Sequence, residues 1–129
     1  MASFQFLSLE EILEIHSDLI ISYGGASGIR DRNGLESAVA QVQSTFQGEL
    51  LHSDIFQMAA AYVFHLSGNH PFLDGNKRVA LAAGLVFLDL NGVSIVDPTG
   101  SLYTFMMEVA SGKKTKSEIA EFLKALQDT

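Results

Sequence analysis

The sequence predicts an all-α fold, and three observations carry that expectation. Helix-capping signals recur along the chain, the apolar residues between them follow helical rather than alternating spacing, and Val79 to Leu88 is apolar on every side of a helical wheel. Little is left over for a sheet. The expected architecture is a single compact domain spanning 1–129, with about six helices around a buried central helix at about 76–90.

The elements follow in order. Ser8 with Glu11 has capping-box spacing and opens a first helix whose stripe is Leu9, Ile12, Leu13, Leu19 and Ile20, stopped by Gly24 and Gly25. Residues 24–34 read as a loop, with Gly where φ needs to be positive. Asn33 with Glu36 is the expected cap of a second helix, which turns Leu35, Ala38, Val39 and Val42 inward. Residues 43–52 have neither period, and Gly48 suggests a turn or flap over the surface. Ser53 can cap a third helix carrying Ile55, Ala59, Tyr62, Val63 and Leu66 and ending near Gly68. Asp74 stands where the central helix needs an N-cap, and Asn91-Gly92 ends that helix. Residues 93–96 are briefly extended, and Asp97-Pro98 supplies a cap and first-turn proline for a fifth helix running to about Ser111. Thr115 with Glu118 opens a sixth, with Ile119, Phe122, Leu123 and Leu126 inward.

Composition narrows the function. The absence of cysteine excludes disulfides, thiolate catalysis and thiolate metal sites, and fits a reducing compartment, so the cytoplasm is the expected location. The N-terminus lacks the basic and apolar regions of a secretion signal. Residues 55–73 carry no formal charge, but Gln57, His65, Asn69, His70 and Pro71 argue against a membrane helix. A net charge of −7 repels nucleic acid unless the cations are concentrated. No Lys or Arg lies between Arg32 and Lys77 or between Arg78 and Lys113, so Lys77 and Arg78 are the central positive charge. That pattern suits a small anion better than a polyanion.

The pair ends the stretch "HPFLDGNKR", residues 70–78. Cations in the first turn of a helix oppose its dipole, which argues for an anion that offsets the cost. Gly75 lets a ligand approach the backbone, and the amides of Gly75, Asn76 and Lys77 can point at one phosphate. His70, just before this cradle, is the natural general base for a hydroxyl attacking that phosphate. Asp74 serves either as a helix cap or as a Mg²⁺ ligand, and Asn76 either braces the loop or donates to phosphate. Phe72 reads as an apolar anchor. His16 and His65 fall beside core positions and read as packed or half-exposed, and His52 as surface. A metal site from His65, His70 and Asp74 is disfavoured by the proline loop and the adjacent cations, and "GNKR" lacks the Gly-Lys-Ser/Thr order of a P-loop.

At these residues the sequence resembles the Fic/Doc family, whose signature is close to H-P-F-x-D/E-G-N-x-x-R, or H-x-F-x-D-A-N-K-R in the Doc branch. "ISYGGASGIRDRNGLESAV" and "FLDLNG" resemble Doc-branch segments as well, so the likeness runs through nearly the whole chain. The resemblance implies an all-α toxin fold that binds ATP and modifies a protein hydroxyl. It makes His70 the general base, Asp74 the holder of Mg²⁺, and Asn76, Lys77 and Arg78 the phosphate contacts, with the 43–52 flap pairing with an extended target segment. Nucleotide-transferring Fic enzymes have a second Gly where this chain has Lys77, which fills the space for a diphosphate. The implied reaction is therefore Doc-like: transfer of the γ-phosphate, with a threonine of elongation factor Tu as target and translation halted. Gly75, where Doc has Ala, leaves AMP transfer on the same site as an alternative. None of the segments Thr45–Glu49, Thr104–Glu108 or Ser117–Glu121 is followed by the Gly or Asn of the inhibitory helix found in many Fic proteins, so the implied inhibitor is a helix of a separate antitoxin. The reading from another class is a non-catalytic helical protein-binding module.

Overall fold

The computed structural model describes residues 4–46, 49–50, 52 and 54–128. Six helices dominate: α1 (Leu9–Tyr23), α2 (Arg32–Val42), α3 (Ile55–Asn69), α4 (Asn76–Leu90), α5 (Ser101–Ala110) and α6 (Lys116–Ala125). Between α2 and α3 lies an antiparallel hairpin, β1 (Thr45–Phe46) and β2 (Glu49–Leu50), so the expected flap is a short two-stranded ribbon. Gly48 and Ser53, which the sequence cast as a turn and a cap, lie outside the described residues. Among the described residues no helix is long and apolar enough to cross a membrane.

Local chemistry sets the helix starts, and two capping boxes form as expected. Ser8 and Glu11 satisfy each other's amides at the start of α1, and Thr115 and Glu118 do so at the start of α6. At α2 and α3 the cap is a different residue from the one expected. Asp31, not Asn33, caps α2 by accepting from Gly34 N, while Glu36 instead pairs with Arg32 on the surface. Asp54 caps α3 through Phe56 N and Gln57 N. Helix α5 starts at Ser101 rather than at Pro98, because the Asp97 carboxylate reaches forward to Ser101 N, Ser101 Oγ and Leu102 N. Those bonds hold its carboxyl below the usual range.

The most enveloped helix is α3, which corrects the expectation that α4 is buried on every side. Every residue from Met58 to Val63 is buried, and α3 packs against α2, α4, α5 and α6. Its run Ala59-Ala60-Ala61 allows approach from several directions. Helix α4 buries Val79, Ala80, Ala83, Phe87 and Leu88, but Leu81, Ala82, Leu85 and Val86 are only half-buried and Asp89 and Leu90 are exposed. The two helices meet at Gly84, where a β-carbon would stand 2.6 Å from Val63 Cγ2 and 3.2 Å from the Ala59 carbonyl.

The N-terminal segment closes the core. Tyr62 accepts from Leu7 N at 2.8 Å and donates to Leu7 O at 3.2 Å, and burial pushes its phenol up to about 12. Asn91, the C-cap of α4, holds Gln5 by both its amide and carbonyl, and Phe6 stacks on Phe87. At the base of the hairpin His52 is buried rather than on the surface. Its Nδ1 donates to Val42 O at 3.3 Å, which leaves Nε2 to accept from Lys116 Nζ at 3.2 Å, and the same ammonium reaches His65 Nε2 at 3.2 Å. Burial, then the Lys116 charge, lowers both imidazoles, His65 to about 4.

Candidate active site

The site forms where α3 ends and α4 begins. His70 is the C-cap of α3 in the left-handed region (φ 50, ψ 53), and it is the one non-glycine residue with positive φ among the described residues. Its imidazole side is exposed and bonds to no other described group. After it the chain dives inward at Pro71 and Phe72, the latter 1 % exposed, which confirms Phe72 as the anchor.

Asn76 braces this loop. Its Oδ1 accepts from Phe72 N and its Nδ2 donates to Phe72 O, both at 2.9 Å, so the side chain is spent on the backbone rather than offered to a phosphate. The expectation that Asp74 caps α4 is not met. The N-cap is Gly75, left-handed at φ 78 and without a side-chain bond, and Asp74 accepts instead from Ala26 N at 3.2 Å and from Gly75 N at 2.9 Å. The Gly75 amide is thus occupied. Among the described residues, the amides at the helix start without a partner are those of Asn76, Lys77 and Arg78, because the first intrahelical bond runs from Val79 N to Gly75 O. The open amides expected at Gly75, Asn76 and Lys77 are instead those of Asn76, Lys77 and Arg78, one residue further along the chain.

Two groups distant in sequence hold this geometry, and sequence reading missed both. His16 of α1 donates from Nε2 to Asp74 O at 2.8 Å and lies flat on Phe72, with ring centroids 3.8 Å apart. Arg30, in the loop before α2, bonds to the carbonyls of Asn69 and His70. Gly25 is required here: at φ 111, a β-carbon would fall 2.7 Å from Asp74 Oδ2.

Lys77 and Arg78 are exposed, and among the described residues no carboxylate pairs with either. The Arg78 guanidinium sits 4.8 Å above the Tyr23 ring. His70, Leu73, Asp74, Gly75, Asn76, Lys77 and Arg78 line one cleft of about 310 Å³, so all six residues singled out from the sequence come together. An apolar cavity of about 510 Å³ adjoins it, sharing Lys77 and Arg78 and walled by Leu81, Leu102, Tyr103 and Met106. Among the described residues no three His, Asp or Glu side chains cluster for a metal, and His65 is turned to Lys116 rather than toward His70. A single carboxylate in a cleft with open amides and two cations that no described carboxylate neutralises suits Mg²⁺ held jointly with phosphate oxygens, since each Asp74 oxygen accepts one amide and keeps a lone pair.

A helical fold presenting this cleft from the H-P-F-L-D-G-N-K-R loop defines a class. Residues 6–88 match the model of the Fic/DOC family, and the chain belongs to that family. Within it, the chain is similar to the protein named protein kinase doc of Escherichia phage P1, 33% identical over 120 residues that cover 93% of this chain and 94% of that protein. It is also similar to toxin Doc of Mycolicibacterium smegmatis, 38% identical over 91 residues, or 70% of this chain and 68% of that protein.

Proposed function

We propose that this chain is a Doc-like toxin that transfers the γ-phosphate of ATP to a protein hydroxyl. The observation that carries the reading is that Lys77 and Arg78, which pair with no carboxylate among the described residues, line one cleft with His70 beside three open amides. The amides and the two cations take the phosphate oxygens, and the base lies against the apolar wall of the adjoining cavity. His70 removes the proton from the target hydroxyl, whose oxygen bonds to the γ-phosphorus while the bond to the β-phosphate oxygen breaks and ADP leaves. Asp74 would hold Mg²⁺, which when bound neutralises phosphate charge. In this reading the target is a threonine of elongation factor Tu and the consequence is a block of translation. Inhibition comes from the helix of a separate antitoxin.

Support for phosphate rather than nucleotide transfer comes from Lys77, whose side chain occupies the place of a second glycine. Gly75, standing where the Doc-branch signature has Ala, supports a second reading, AMP transfer on the same site. ATP labelled separately at the α and γ positions, incubated with Mg²⁺ and a bacterial lysate, separates them. γ-Label on a protein supports the kinase, α-label the AMP transferase, and neither label a binding module without catalysis.

A further inference from the structure

We infer that Arg30 is the positioning residue of His70, a role that rests on reading His70 as the general base. His70 occupies a backbone region that residues with a β-carbon enter only when their surroundings hold them there. The carbonyls on either side of it, and its own, are all bonded by one residue. Arg30 Nε donates to His70 O at 2.7 Å, its Nη2 donates to Asn69 O at 3.1 Å, and its own backbone N–H donates to Pro71 O at 2.7 Å. Three successive carbonyls, at the point where α3 ends and the chain reverses, are thus bound by one side chain and its main chain.

Arg30 is itself held in place. Ile29 bridges to Phe72, Leu73 N donates to Gly28 O, and Asp31 N joins Arg30 N on Pro71 O while the Asp31 side chain caps α2. The guanidinium is a planar fork with its donors at fixed spacing, so bonding two adjacent carbonyls sets the orientation of the peptide that follows His70. That peptide determines where the His70 Cα–Cβ bond points, and hence whether the imidazole faces the cleft. A lysine offers a single ammonium on a flexible stem and cannot impose the same orientation. The plainer account, a cation that merely satisfies the carbonyls at a helix C-terminus, predicts a loss of stability but no selective loss of turnover.

The test compares Arg30→Met, Arg30→Lys and Asn69→Ala. Asn69 Nδ2 donates to Gly34 O at 2.9 Å, so its removal loosens the same turn without touching the His70 carbonyl. Each variant is assayed for γ-phosphate transfer, for melting temperature and for the His70 backbone chemical shifts that mark a left-handed residue. Arg30→Met should lower kcat about 100-fold with KM for ATP within about twofold, since a base displaced by an ångström loses that much. Its His70 shifts should move away from the left-handed values, and Arg30→Lys should restore neither. Asn69→Ala should lose melting temperature yet keep kcat within about threefold of the parent. Unchanged kcat and unchanged His70 shifts in Arg30→Met would overturn the inference, as would an equal loss of kcat in Asn69→Ala. If the parent transfers neither phosphate nor AMP, the general-base reading fails, and the His70 shifts alone decide whether Arg30 positions the residue.

Discussion

The bracing role of Asn76 makes a quantitative prediction. Asn76→Ala removes two hydrogen bonds of 2.9 Å and leaves Phe72 N–H and C=O without partners, next to a side chain that is 1 % exposed. A buried backbone group left unsatisfied costs about 1–3 kcal/mol, and partial relaxation of the loop brings the pair to about 2–4 kcal/mol. For 129 residues, with an unfolding entropy of about 2.1 cal/mol/K each, that corresponds to a fall in Tm of about 7–15 °C. Urea and thermal unfolding followed by circular dichroism give the number directly. Asn76→Asp should not restore the parent near neutral pH, because one oxygen still accepts from Phe72 N while the other faces the Phe72 carbonyl. Acidification should recover part of the loss, since the protonated carboxyl regains a donor. A stability of Asn76→Ala within about 0.5 kcal/mol of the parent would refute the reasoning, because surface substitutions cost no more than that.

Other consequences can be measured independently. His65 and His52 titrate lower in the folded chain than unfolded, so folding releases protons; stability is complete above about pH 6.5 and is lost as pH falls toward about 4. The shift of His65 converts, after discounting for its half-exposed ring, to a loss of about 1–2 kcal/mol over that window. Lys116→Met should flatten but not abolish the dependence, burial being the larger cause; a parent whose stability is flat from pH 7 to 4 would contradict it. Gly84→Ala should cost about 1–3 kcal/mol through the clash with Val63 Cγ2, and much of that should return in the double variant with Val63→Ala, as a double-mutant cycle by urea unfolding would show. His16→Phe keeps the stack on Phe72 but loses the bond to Asp74 O, and should weaken ATP binding roughly three- to tenfold by calorimetry with little change in Tm.

The features legible in the sequence were those whose partners lie within a helical turn. Ser8 with Glu11 and Thr115 with Glu118 close through neighbouring amides, and the apolar spacing placed all six helices and the start of α4 at residue 76. Where several cap formers stand close together the choice was not legible. Asp31 outcompetes Asn33 for α2, and Asp97 was legible as the capping side chain of α5 but not the helix start, which falls at Ser101 rather than Pro98, because a capping side chain can reach several amides and packing selects among them. The cleft residues were found together because they are contiguous, from His70 to Arg78. Their supports were not. His16 and Asp74 are 58 residues apart and Arg30 and His70 are 40 apart, and no local pattern records a contact made only when helices pack. His52 was misplaced for the same reason: it is buried and bonds to Lys116 of α6, 64 residues away. The burial of α3 on all sides from Met58 to Val63 was hidden by its alanines, which carry a weaker apolar signal than the leucines and valines of α4.

The most direct test of the account is transfer from ATP carrying label at either the α or the γ phosphate, with Mg²⁺ and purified elongation factor Tu, by the parent chain and by His70→Ala. The account predicts γ-label on the factor, on a threonine, with the parent; no α-label; and a loss of at least about 100-fold with His70→Ala at unchanged Tm. Label from the α position, or γ-transfer that survives the loss of the His70 imidazole, would contradict it.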